Sequence, residues 1–307
     1  MTKDSKAILV TGSHRSGTTW AGQMLATAPR VGYIHEPFNS DIRISVNPRP
    51  FKRPFKHISE DAQDLHTSAF DDILHFRYPL LRNIGKVRSM MDVADIVRDQ
   101  SLFLRYRREK ARPLVKGPLA FFSAPWLSET FDMDVLVMIR HPAAFCSSLK
   151  IKNWQFDFNH FLKQPSLMEK YLARFEDEIR AQAENRKNII EQATLLWNCI
   201  HHTISIYQEE HPDWIFIRHE DLSLDPLGQF RSLYNTLDLK FTRHVEAKIL
   251  KNSGAHNPTE QKSGNEFMRN SRKNIKNWKK RLTAKEADLI RRETDEISAS
   301  FYSENTW

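Results

Sequence analysis

A chain of 307 residues with 46 Lys and Arg against 38 Asp and Glu has a formal net charge of +8. It is long enough to bury a substantial core, and its charge favours anionic ligands while leaving a nucleotide, a sulfated glycan, a nucleic acid or an acidic membrane open as partners. Two cysteines exclude a disulfide framework, the thirteen histidines show no metal-ligand spacing, and no apolar run approaches the roughly 18 residues of a membrane span.

Met1–Lys6 leads directly into a short apolar strand over 8–11, which leaves no room for a signal peptide. A helix opens at Thr18 and ends before Pro29, and a second strand spans Val31 to His35. Strand, helix and strand at this length form a βαβ crossover, which places the intervening loop at the carboxyl edge of a parallel sheet. The region 39–66 mixes Arg43, Arg49, Lys52, Arg53, Lys56 and His57 with Pro48, Pro50 and Pro54, and reads as a basic, irregular loop. Further buried strands are expected at Leu114–Lys116, Val135–Ile139 and Trp214–Ile217, with helices over 167–185 and 189–209. Neither repeats nor an interdomain linker appear. The expectation is therefore one α/β domain over 1–307: a parallel β-sheet flanked by helices, with long helical and loop insertions. Cys146 and Cys199 are expected to be free thiols, and the protein to be cytoplasmic.

The most informative stretch is Thr11-Gly12-Ser13-His14-Arg15-Ser16-Gly17-Thr18-Thr19-Trp20. Glycines permit a tight loop whose backbone N–H groups converge, and the following helix adds its positive end, which makes a phosphate cradle. Gly12 and Gly17 have the spacing of a Walker A loop, but Thr18-Thr19 stands where a nucleotide triphosphatase has Lys followed by Ser or Thr. The loop's cation is Arg15. This segment resembles the 5′-phosphosulfate-binding loop of sulfotransferases that use 3′-phosphoadenosine 5′-phosphosulfate (PAPS). Val135–Pro142, followed by Ser148, resembles the family's 3′-phosphate motif, in which an Arg at a strand end and a Ser eight residues later grip that phosphate.

The resemblance implies a P-loop fold, PAPS as donor, 3′-phosphoadenosine 5′-phosphate (PAP) as product and no required metal. It also implies donor contacts from His14, Arg15, Ser16, Gly17, Thr18, Thr19 and Trp20, with Arg140 and Ser148 selecting the 3′-phosphate. Arg272, in the basic run from Ser271 to Lys279, matches a late segment (265–282) that folds over the nucleotide.

Sulfuryl transfer needs a base for the acceptor proton and positive charge on the departing phosphate. Arg15 fits the second role and Lys116 can stabilise the sulfuryl oxygens. Glu36, followed by Pro37, resembles the glutamate of carbohydrate and tyrosylprotein sulfotransferases and is the expected base. His35 is its rival, although strand alternation is expected to point it to the opposite side. Phenol and steroid sulfotransferases carry a histidine two residues after the matching lysine, where this chain has Pro118. The expected acceptor is thus a carbohydrate hydroxyl, with acceptor walls from 39–110 and 151–190; no nucleic-acid partner is expected. The alternatives are a P-loop kinase or nucleotide triphosphatase, which shares the fold but lacks the lysine, and a non-enzymatic protein that binds polyanions through its basic segments. Oligomeric state is left open.

Overall fold

The computed structural model describes residues 6–47, 51–58, 64–258 and 268–307; Pro48, Arg49 and Pro50 of the basic region and residues 265–267 of the late segment lie outside them. Among the described residues five strands form one sheet in the order β2-β3-β1-β4-β5: β1 Ile8–Gly12, β2 Val31–His35, β3 Arg112–Lys116, β4 Asp134–Ile139 and β5 Ile215–Arg218. The pairs β1–β3 and β2–β3 are parallel, with Val10 and His35 both in register with Lys116. A central strand covered on both faces needs a continuous apolar run, and all five residues of β1 are buried.

The chain divides into two compact units that interleave in sequence. The first comprises Met1–Thr11, Thr18–Leu136 and Tyr234–Thr242. It contains α1 (Thr18–Leu25), α2 (Asp64–Leu74), α3 (Leu80–Ile84), α4 (Met90–Arg108) and α5 (Ala124–Phe131). Its core joins Leu9, Leu114 and Val115 of the sheet to Ala21 and Leu25 of α1. Phe38 stacks on Phe51 and on Phe70, which ties the irregular segment after β2 to α2. At the amino end of β3 the buried Arg112 pairs with Asp134 and donates to the carbonyls of Lys6 and Leu237, so its charge is matched rather than stranded.

The second unit comprises Gly12–Gly17, Val137–Leu233 and Arg243–Trp307. Here α6 (Pro142–Lys152) packs against the helices Ile189–Glu210 and Ala284–Ser298. Phe145, Leu149, Leu196, Trp197 and Ile200 fill the space between them. The division cuts β1 at Gly12 and β4 at Leu136, inside strands, so no Gly- or Pro-rich linker marks it in the sequence. Cys146 and Cys199 are buried free thiols whose pKa burial raises, Cys146 to about 12.

Two expected elements differ. The stretch 167–185 is helical but broken: a π-turn at Met168–Leu172 and a 3₁₀ turn at Ala173–Phe175 precede the α-helix Glu176–Glu184. The wider π-turn lets Met168, Tyr171 and Leu172 all reach the interior. The last strand begins at Ile215 rather than Trp214, because the Trp214 N–H closes a turn onto the His211 carbonyl and its indole stacks on the His211 ring at 4.1 Å.

Candidate active site

In the first unit the site is built at the carboxyl ends of β2 and β3. Lys116 ends β3, and the next residue is fixed by two bonds to the end of β1: Gly117 N–H to Val10 O at 3.1 Å and Thr11 Oγ1 to Gly117 O at 3.0 Å. Its side chain is buried and pairs with the Glu36 carboxylate. Glu36 follows β2 with φ +42°, a left-handed turn in a non-glycine residue, and its N–H donates to Lys116 O at 2.8 Å. Asn39 donates to the other carboxylate oxygen at 2.9 Å. Burial pushes the Glu36 pKa up, but Lys116, Asn39 and the field of His35 outweigh it and hold the carboxyl below its ordinary value.

The left-handed turn also corrects the expectation for His35. Regular alternation ends at His35, so Glu36 does not point away from it, and the charges of both Glu36 and Lys116 reach the imidazole. Burial and Lys116 lower the His35 pKa, with Glu36 opposing, so the ring is neutral at pH 7. Tyr33 Oη lies 3.3 Å from His35 Nδ1. In α1, Thr18 is buried, Thr19 is half-buried, and Trp20 is 9% exposed.

In the second unit the loop closes through Ser16, whose N–H and hydroxyl both donate to Ser13 O, at 3.2 and 2.6 Å. Gly12, Arg15 and Gly17 have φ of +125°, +66° and +96°. Positive φ beside right-handed residues is the conformation from which an anion-binding nest of N–H groups is built. A β-carbon on Gly12 would lie 2.4 Å from Met138 O, and one on Gly17 2.4 Å from His219 Nδ1. Gly12→Ala therefore combines a backbone clash with a disfavoured φ and is expected to cost about 2–4 kcal/mol of stability, read from urea unfolding.

The loop's cation is placed by α6 and the segment after it. Arg15 Nε donates to Ser148 Oγ at 3.0 Å, and its guanidinium lies 5.5 Å from the centroid of Trp154. Arg140, at the end of β4, donates from its guanidinium to the Arg15 carbonyl. Burial lowers the Arg140 pKa to about 10; Glu220 opposes this, while Arg15, Arg269 and Arg281 add to it. Its Nε is buried without a hydrogen-bond partner. Arg140 and the three arginines that act on it make a group of four guanidiniums, a cluster suited to a multiply charged anion.

Arg272 is not one of the four. Asn270 caps the short helix Ser271–Asn274 by accepting from Lys273 N–H at 3.0 Å, which turns Ser271 and Asn274 inward and leaves Arg272 exposed. Sequence reasoning also missed Glu220, whose carboxylate accepts from His141 N–H at 3.2 Å and Tyr302 Oη at 2.8 Å. Trp154, which meets both Arg15 and the His14 ring, and Asn39 carry no motif signal. His141 stacks on Trp278 at 5.6 Å; burial and the charge of Arg140 lower its pKa to about 3, so it stays neutral.

The model of a sulfotransferase family matches residues 7–243, and the chain belongs to that family, enzymes that transfer a sulfuryl group from PAPS. No curated protein matches. Among solved structures, the chain is similar to the sulfotransferase domain from the curacin biosynthetic pathway, at 13% identity over 96% of this chain and 97% of that one, TM-score 0.49. It is similar also to the sulfotransferase domain of the Synechococcus PCC 7002 olefin synthase, at 16% identity over 97% and 95%, TM-score 0.45. For mouse sulfotransferase SULT7A1 complexed with PAP the values are 12%, 99% and 86%, and 0.44. Among the described residues no group of three or more His, Cys, Asp or Glu could hold a metal ion, and no helix is long and apolar enough to cross a membrane.

Proposed function

We propose that this sulfotransferase moves the sulfuryl group of PAPS to a hydroxyl of a carbohydrate or glycoconjugate, with Glu36 as general base. The observation that carries the reading is the Glu36–Lys116 pair: a carboxylate held ionised despite burial, beside a lysine in register with Val10, just before the phosphate loop. When the donor's sulfuryl oxygens draw the Lys116 ammonium, Glu36 loses its strongest stabilising partner and becomes the stronger base. Glu36 then takes the hydroxyl proton as the acceptor oxygen bonds to sulfur. The bond from sulfur to the bridging oxygen breaks, and its electron pair leaves with the 5′-phosphate of PAP. Arg15 meets the charge that grows on that phosphate, aided by the loop N–H group of Gly17 and the hydroxyls of Thr18 and Thr19, while Ser16 holds the loop closed through Ser13 O.

Arg140 and Ser148 take the 3′-phosphate in this reading. The unpartnered Arg140 Nε supplies a donor already desolvated, and Arg269 and Arg281 supply the late basic charge in place of Arg272. Trp20, at 9% exposed, offers the purine little surface for stacking. Support for a sugar acceptor comes from Glu36-Pro37 and from Pro118 at the position where phenol-type enzymes hold a histidine. Segments 39–110 and 151–190 are assigned to the acceptor side.

Incubation with sulfur-labelled PAPS and separate pools of oligosaccharides, tyrosyl peptides and simple phenols tests the acceptor. Label in the oligosaccharide pool is the expected result. Label confined to phenols would overturn the acceptor class while leaving the donor site intact.

A further inference from the structure

The turn between α3 and α4 presents an unusual surface. Leu81 is 86% exposed, Met90 83%, Met91 78% and Ile84 53%, all within eleven residues. Water-facing apolar side chains occur singly on most surfaces, whereas a contiguous group marks a contact site. From Ile73 to Met91 the chain carries no Asp or Glu, but it carries Arg82, Lys86 and Arg88 beside Arg77, which pairs with Asp71 and Asp72.

This tip is ordered. Ser89 and Asp92 form a reciprocal capping box that fixes the first turn of α4, so Met90 and Met91 project from a regular helix end. Behind it Asn83 donates to Ser45 O at 3.0 Å, Arg82 to Asn47 O at 2.8 Å and Lys86 to Arg43 O at 3.2 Å. Those acceptors are backbone carbonyls, which orient the cations without neutralising them. Asp92, the nearest carboxylate in sequence, is buried and paired with Arg43.

We propose that the α3–α4 tip docks on an anionic lipid bilayer, with Leu81, Ile84, Met90 and Met91 entering the headgroup region and Arg82, Lys86 and Arg88 meeting lipid phosphates. Charge selects this occupant. A second copy of the chain in a two-fold contact would bring like-charged tips together with no carboxylate between them. An anionic bilayer instead supplies apolar depth and a sheet of negative charge at once.

Co-sedimentation of the full chain with phosphatidylglycerol vesicles and with phosphatidylcholine vesicles tests the proposal. One variant carries Leu81→Ser, Met90→Ser and Met91→Ser, whose exposure leaves the core untouched, and another carries Lys86→Glu and Arg88→Glu. Thermal melting checks that both fold. The wild type is expected to sediment with phosphatidylglycerol and not with phosphatidylcholine, and each variant to bind about tenfold less or worse. Phosphatidylglycerol binding undiminished in the serine variant would reduce the effect to the chain's overall basicity and overturn the proposal. So would absence of binding to either vesicle, or a wild-type dimer that the serine variant dissolves.

Discussion

Replacing Glu36 by glutamine is expected to lower kcat by roughly 10²–10⁴-fold, the usual contribution of a positioned general base, with PAP affinity retained. Glutamine keeps the size and one oxygen to accept from Lys116, but it also removes the charge opposite the buried ammonium and turns an NH₂ toward the Asn39 donor, so urea unfolding is read beside kcat. Glu36→Ala is a different experiment: it strands the buried Lys116 ammonium and is expected to cost about 3 kcal/mol or more of stability, read from urea unfolding. The pH dependence follows from the lowered pKa. A carboxylate whose folded value lies below its ordinary 4.5 contributes stability that is present above that value and lost as pH falls through the lower folded one. In the glutamine variant this acid-side loss is expected to shrink. His35 is the control. It is neutral at pH 7 and chemically able to accept a proton, so His35→Asn with kcat as low as Glu36→Gln would move the base to the imidazole.

The second large effect is at Arg140. Arg140→Ala is expected to weaken PAP binding roughly 30- to 150-fold, equivalent to about 2–3 kcal/mol for hydrogen bonds to a charged group, while 5′-AMP binding stays nearly unchanged. The contrast matters because Arg140 also donates to the Arg15 carbonyl and could act through the loop alone. A purely structural role would weaken both nucleotides together. Arg140→Lys keeps the charge but loses the planar fork, and is expected to recover only part of the discrimination.

The parts of this site legible in the sequence are those encoded by local backbone chemistry. Gly12 and Gly17 announce the loop because their positive φ values demand glycine, and Arg140 is announced by the apolar run of β4 that it terminates. Glu36 adopts a left-handed turn without a glycine to mark it, which is why alternation misplaced His35 relative to it. Arg269 and Arg281 were hidden for another reason. The Asn270 cap turns Arg272 and Lys273 outward, and the reach of Arg269 and Arg281 to Arg140 comes from tertiary packing that a dense basic run does not spell out. Glu220 and Trp154 lie far from the loop in sequence and are brought to it by packing alone. The helical periodicity of 167–185 was real, but periodicity counts apolar positions and does not register a π-turn that shifts their phase.

The central claim is that this site recognises a bisphosphorylated adenosine. Calorimetric titration with PAP, 5′-AMP and ATP with magnesium tests it most directly. PAP is expected to bind tighter than either of the others, without need of a metal. Tighter binding of ATP with magnesium, or no binding of PAP at all, would contradict the account.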